Sequence, residues 1–169
     1  MFSIQETNKV ICDFPNNIGT NDWYMVNDGV MGGISEGKLE RTDTGTLLYS
    51  GVIRTENNGG FSSIRHSMET LEVGDYTTIR LRLKGDGKDY QFRIRSSRSQ
   101  RYAFVHNFKT TGDWQEVDLL LSEFYPSFRG RKLDKPNYNG QVMEEIVILI
   151  GNKKNESFTL ELASIELIR

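Results

Sequence analysis

The sequence predicts an all-β fold, an antiparallel β-sandwich or jelly roll, and three observations carry that prediction. Apolar and polar residues alternate with period two, so that Ile79, Leu81 and Leu83 point one way while Arg80, Arg82 and Lys84 point the other. Turn signals rich in glycine and asparagine or aspartate separate these runs. No apolar stripe of 3.6-residue period reaches a useful length; only 120–124 reads as one short helical turn. The pattern excludes a βαβ array.

In chain order the strand candidates are 38–42, 46–53, 61–67, 79–84, 90–95, 102–108, 115–121, 142–150 and 157–168, nine or ten in all. In 61–67, the parity that buries Ile64 sends Ser63 and Arg65 to the opposite face. Around Gly85-Asp86-Gly87, the runs 79–84 and 90–95 read as a β-hairpin with one buried face. The stretch 122–139, with Pro126, Pro136 and Phe128-Arg129-Gly130-Arg131, reads as the longest irregular segment, either functional or closing one end of the sandwich.

The length of 169 residues fits one domain over 1–169 with a sizeable core. No run approaches the roughly 18 apolar residues of a membrane-spanning helix. Met1–Glu6 shows neither the basic and apolar regions of a secretory signal nor an Arg-rich transit segment, and Cys12 stands alone, so no internal disulfide is expected. The expected compartment is the cytoplasm, with the membrane reached only through a partner.

A net charge of −2 predicts no general affinity for nucleic acid. The charge is unevenly spread, however. Between residues 80 and 101, Arg80, Arg82, Lys84, Lys88, Arg93, Arg95, Arg98 and Arg101 face only Asp86 and Asp89. If 61–67 neighbours the expected hairpin, Arg65, Arg80, Arg82, Arg93 and Arg95 share one sheet surface. Like charges side by side on a sheet need compensation. Two readings follow: an ion-pair ladder with Glu116, Asp118 or Glu161, or a recessed basic surface for a carboxylate, a phosphate or an acidic partner segment.

Catalytic readings are poor. His66 and His106 are the only imidazoles, and neither stands beside a nucleophile in a catalytic pattern. One cysteine and two distant histidines give no zinc spacing. Calcium held by loop carbonyls with an Asp or Glu needs no motif and stays open. No cofactor is expected. Trp23, Tyr102 and Trp114 invite a carbohydrate-stacking reading, although such aromatics more often pack a core.

Two glycine-rich segments remain, Asn27-Asp28-Gly29-Val30-Met31-Gly32-Gly33 and Asn57-Asn58-Gly59-Gly60-Phe61-Ser62-Ser63-Ile64-Arg65. Their glycines can supply positive φ at loop–strand junctions, or let backbone amides approach an anion. Together with Ser35, Ser50-Gly51, Leu81–Gly87, Trp114-Gln115-Glu116-Val117, Phe124–Arg131 and Phe158–Leu162, they make the chain resemble the complex I intermediate-associated protein family along essentially its whole length. Leu120 departs from the proline usual there. With no transit peptide or added nucleotide-binding domain in view, the chain reads as a stand-alone, bacterial-type member.

That resemblance implies a jelly-roll sandwich similar to galactose-binding domains and carbohydrate-binding modules. It implies a chaperone-like factor that binds subunits of a multi-subunit, membrane-bound respiratory complex during assembly. Arg65, Arg82, Arg93 and Arg95 are expected to engage acidic groups, with Asp28, Arg129 and Arg131 shaping the rim. The rival readings are a carbohydrate or small anionic ligand module and an RNA-binding domain.

Overall fold

The computed structural model describes residues 8–169, so the reading of Met1–Glu6 lies outside the described residues. Thirteen strands occur among them: β1 (Asn8–Asp13), β2 (Trp23–Asn27), β3 (Glu36–Arg41), β4 (Leu47–Ile53), β5 (Ser62–Glu72), β6 (Thr78–Lys84), β7 (Asp89–Arg95), β8 (Ala103–Lys109), β9 (Trp114–Leu120), β10 (Tyr125–Phe128), β11 (Arg131–Lys132), β12 (Val142–Ile150) and β13 (Glu156–Ile168). All nine expected strands are present, within a few residues at most ends. The short turn expected at 120–124 is a 3-10 turn, Leu121–Glu123.

Alternation alone did not reveal β1, β2, β10 and β11. In β2, Trp23, Met25 and Val26 are all half-buried, so neither parity stands out as apolar. Pro126 lies inside β10 and disguises it, although β10 pairs with β8 on one side and β11 on the other. Six of the eighteen residues of the 122–139 stretch, those of β10 and β11, are therefore sheet edge.

The strands form two antiparallel sheets. The first runs β3-β4-β13-β6-β9, with β1 pairing the C-terminal half of β13; the second runs β11-β10-β8-β7-β12-β5-β2. Inward-facing Leu81, Leu83, Phe92, Ile94, Ile146, Ile148, Leu160 and Ile165 are fully buried in one core cluster. Among the polar links between the sheets, the Tyr49 hydroxyl of β4 donates to Ser62 Oγ of β5 at 2.8 Å. A buried hydroxyl needs such a partner.

The expected hairpin does not form. β6 pairs with β13 and β9, whereas β7 pairs with β12 and β8, so the chain crosses between sheets at Gly85–Lys88. Asp86 directs the crossing. Its carboxylate accepts from Thr159 N at 2.8 Å, Tyr90 Oη at 3.1 Å and Lys88 N at 3.2 Å, which ties the turn to β13. Gly85 is needed there, because a Cβ would lie 2.2 Å from the Thr110 side chain. Alternation shows which face of a strand is buried. It is silent on which strand lies alongside.

Candidate functional site

The two glycine-rich segments meet at Asp28, which opens a 3-10 turn directly after β2. Its carboxylate accepts from Ser35 Oγ (2.5 Å), Gly60 N (2.6 Å), Ser35 N (2.9 Å) and Phe61 N (3.3 Å), and the residue is fully buried. Burial favours the neutral acid, but these donors outweigh it and hold the carboxyl below the ordinary aspartate value. A Cβ on Gly33 would lie 2.4 Å from the Asp28 carboxyl carbon, and one on Gly59 2.5 Å from Oδ2. The glycines make room for a carboxylate clip. Asp28, expected at the rim of a docking surface, has both oxygens engaged inside the protein.

The arginines separate onto two faces, because β6 and β7 belong to different sheets. Arg80 and Arg82 lie on the outer face of the first sheet, opposite Asp118 and Glu116 of β9. Arg80 Nε and Nη2 donate to the Asp118 carboxylate at 2.8 and 3.0 Å, with Glu116 at 3.6 Å. The ion-pair ladder expected from Glu116 and Asp118 thus forms, around Arg80. Glu161 instead accepts from Thr46 Oγ1 at 2.6 Å. Arg82 is exposed and shares no surface with Arg65, Arg93 or Arg95.

Those three arginines do share a face, the outer one of the second sheet, although β12 separates β5 from β7. Arg65 and Arg93 both lie opposite Val147, and Arg95 lies opposite Glu145. The row extends through Tyr24 at one end and through Val105 to Tyr125 at the other. Across six strands it spans about 24 Å. Val147 and Val105 on this outer face are only 3% and 1% exposed, the burial expected when arginine stems lie over apolar neighbours.

Charge on this face is unbalanced. Glu145, its side chain 4% exposed, holds Oε1 at 3.5 Å from Arg95 Nη1 and 3.7 Å from Arg65 Nη1. Tyr24 Oη stands 3.5 Å from Oε2, and Arg95 also donates to the Gln100 carbonyl. Glu145 Oε1 and Arg65 Nε are buried without a hydrogen-bond partner among the described residues. Arg93 has no carboxylate within ion-pair distance among the described residues. Its Nε and Nη2 both donate to Gln91 Oε1, at 3.0 and 2.7 Å. Burial first, and then repulsion from Arg65, bring its pKa down to about 10, which leaves it cationic at neutral pH.

Neighbours complete the surface. Lys132, opposite Ser127 of β10, holds its ammonium 5.6 Å from the Tyr125 ring centroid. Arg131 pairs with Phe128 and so has the opposite parity. Arg129, at φ 51°, is exposed and stacks its guanidinium 5.2 Å from the Phe128 ring centroid. Where Gln91 and Asn107 lie, the face adjoins an open depression of about 580 Å³ bordered also by Lys109, Asn152 and Lys153.

Sequence reasoning missed Tyr24, Gln91, Tyr125, Lys132 and Glu145. The signal for Glu145 was its place at the head of Glu145-Ile146-Val147-Ile148-Leu149-Ile150, a run apolar at both parities. An outward parity that is buried marks a covered face.

The remaining candidates lie elsewhere. Trp23 stacks on His66 (5.0 Å, 13°) and donates Nε1–H to the Gly19 carbonyl, while burial lowers the His66 pKa. Tyr102 packs edge-on to Phe104, and Trp114 lies on the first sheet, opposite Lys84. No stacking platform joins the three. The basic stretch 80–101 is likewise divided, with Arg80, Arg82 and Lys84 on the first sheet and Arg93 and Arg95 on the second. Among the described residues no group of three or more His, Cys, Asp and Glu gathers to hold a metal ion, and no helix is long and apolar enough to cross a membrane.

The family model described as "Complex I intermediate-associated protein 30 (CIA30)" matches residues 12–162. The mitochondrial complex I intermediate-associated protein 30 of Mus musculus is 25% identical over 154 residues, covering 78% of this chain and 47% of the mouse protein. The chain thus spans about half the length of the curated relative it matches.

Among solved structures, a family 11 carbohydrate-binding module from Clostridium thermocellum, in complex with a β-1,3-1,4-mixed-linked tetrasaccharide, superposes with a TM-score of 0.67 at 18% identity, covering 95% of each chain. A point mutant of a family 29 carbohydrate-binding module gives 0.56 at 11% identity, covering 96% of this chain and 91% of its own. At these identities the likeness concerns the fold, a jelly-roll β-sandwich of the galactose-binding-like kind.

Proposed function

Because the chain belongs to the complex I intermediate-associated protein 30 family, we propose that it is a non-enzymatic, chaperone-like domain over residues 1–169 that holds a subunit of a multi-subunit respiratory complex during assembly. It binds through the outer face of the second sheet and releases its partner without chemistry or cofactor. The domain works in the cytoplasm and meets a membrane only through that partner.

One observation carries the choice of face: among the described residues, Arg65, Arg93 and Arg95 are set against Glu145 alone over an apolar floor. A mostly buried cationic face is costly unless an anion completes it, and an acidic protein segment is the complementary occupant. Arg82 drops out of the docking set on this reading, and Asp28 becomes a support for the neighbouring loops.

The test is a tagged pull-down from the native host, membranes included, at low and moderate salt with mass-spectrometric identification. Respiratory-complex subunits should be enriched by the wild type and lost when Arg65 and Arg93 are both changed to Gln in a folded protein. A partner-free eluate overturns the proposal.

A second reading, a carbohydrate module, draws on the tyrosines at the two ends of the row, Tyr24 and Tyr125, and on the fold likeness. Stacking of sugar rings is the chemistry those tyrosines would supply. Binding of a mixed-linked β-glucan that Tyr24→Ala or Tyr125→Ala abolishes would favour it over protein docking.

A further inference from the structure

The three guanidinium groups of the docking face are not equivalent. Arg65 and Arg95 converge on Glu145, a carboxylate the protein itself supplies, at 3.7 and 3.5 Å. Arg93, in the same row as Arg65 and across Val147 from it, has no such partner among the described residues. Its Nε–Nη2 edge is fixed by Gln91 Oε1, which sets the plane of the guanidinium and leaves the Nη1–Nη2 edge without an acceptor among the described residues. A guanidinium whose orientation is set in advance, with one free two-donor edge, matches the two oxygens of a carboxylate.

The geometry points to a specific division of labour: Arg93, oriented by Gln91, is the receptor for one aspartate or glutamate side chain of the partner, and Glu145 is an internal counter-ion that masks Arg65 and Arg95. This rests on the protein-docking reading above and narrows it to one side-chain class at one residue. A carboxylate is favoured over a phosphate dianion because a single free fork is offered, with Glu145 already occupying the two neighbouring cations. Glu145 holds them as ion pairs, its Oε1 lying 3.5 and 3.7 Å from Arg95 and Arg65 with no hydrogen-bond partner among the described residues, so removing its charge would free both cations for an incoming acid.

The experiment titrates the ¹⁵N-labelled full chain with Ac-Gly-Glu-Gly-Glu-Gly-NH₂, with the same peptide carrying Gln in place of Glu, and with inorganic phosphate. Amide shifts are followed in β5, β7 and β12. The Glu peptide should perturb residues around Arg93 and Val147 at millimolar concentration, at least fivefold more tightly than the Gln peptide or phosphate. Arg93→Gln should abolish that preference, and Glu145→Gln should strengthen Glu-peptide binding severalfold.

Equal binding of the Glu and Gln peptides by the wild type overturns the proposal without recourse to any variant, as does tighter binding of phosphate. A Glu preference unchanged in folded Arg93→Gln overturns it too. Peptide recognition with no subunit captured from the host would refute the assembly reading alone. Subunit capture with no carboxylate preference would refute the Arg93 receptor alone.

Discussion

Arg65 and Arg93 stand opposite the same residue, Val147, from the two sides of β12, so two cations share one row of a sheet face with a buried valine between them. Among the described residues only one has an acid within reach, since Arg65 lies 3.7 Å from Glu145 and Arg93 turns to Gln91. Mutual repulsion of this kind weakens a sheet unless it is relieved. Several measurable consequences follow from how each charge is relieved.

Replacing Glu145 by Gln leaves Arg65 and Arg95 on a largely buried face with no acid in ion-pair reach among the described residues. Removing one partner of a fully buried pair costs about 3–5 kcal/mol, and partial solvent access to the arginines brings the expected loss to about 1–3 kcal/mol. Urea unfolding of the variant checks this. A second change, Arg95→Gln, should recover part of the loss, because it removes a charge that Glu145→Gln leaves unpaired.

Asp28 predicts an acid-sensitive clip. Asparagine in its place presents an amide group to backbone N–H donors, and the expected cost is about 1–3 kcal/mol at pH 7. The folded pKa lies below that of an unfolded aspartate. Its contribution to stability is therefore complete above about pH 4 and is lost as the pH falls through the folded value. Thermal melts between pH 2 and 7 should show a shallower acid limb for Asp28→Asn than for wild type.

The glycines around Asp28 should differ sharply. Gly33→Ala and Gly59→Ala place a methyl group within 2.4–2.5 Å of the carboxylate, whereas a Cβ at Gly29 meets nothing within 4 Å. The first two should lower stability by about 1–3 kcal/mol, and Gly29→Ala by less than about 0.5 kcal/mol. Equal effects in chemical denaturation would argue against the clip.

These residues also show what was legible before the fold was known. Period-two alternation located 79–84 and 142–150 correctly, because burial of one strand face is a local property of the chain. The partners of those strands were not local. Arg82 and Arg93 look alike in sequence, yet Asp86 and Gly85 turn the chain between the sheets and place them on opposite outer faces. The Asn-Asp-Gly and Asn-Gly-Gly segments stood out as a family signature, but their meeting at one buried carboxylate depends on a contact 32 residues apart. Glu145 was hidden for the same reason. Its cationic partners come from β5 and β7, brought to it only by sheet order.

The most direct test of the docking face compares its two arginines in one capture assay. With a subunit identified from the host, affinity is measured for wild type, Arg93→Gln and Arg82→Ala, each shown to be folded. Arg93→Gln should lose at least tenfold in affinity, about 1.4 kcal/mol, while Arg82→Ala stays within about twofold of wild type. The opposite pattern, with Arg82 required and Arg93 dispensable, would rule out this face and move the interface to the first sheet.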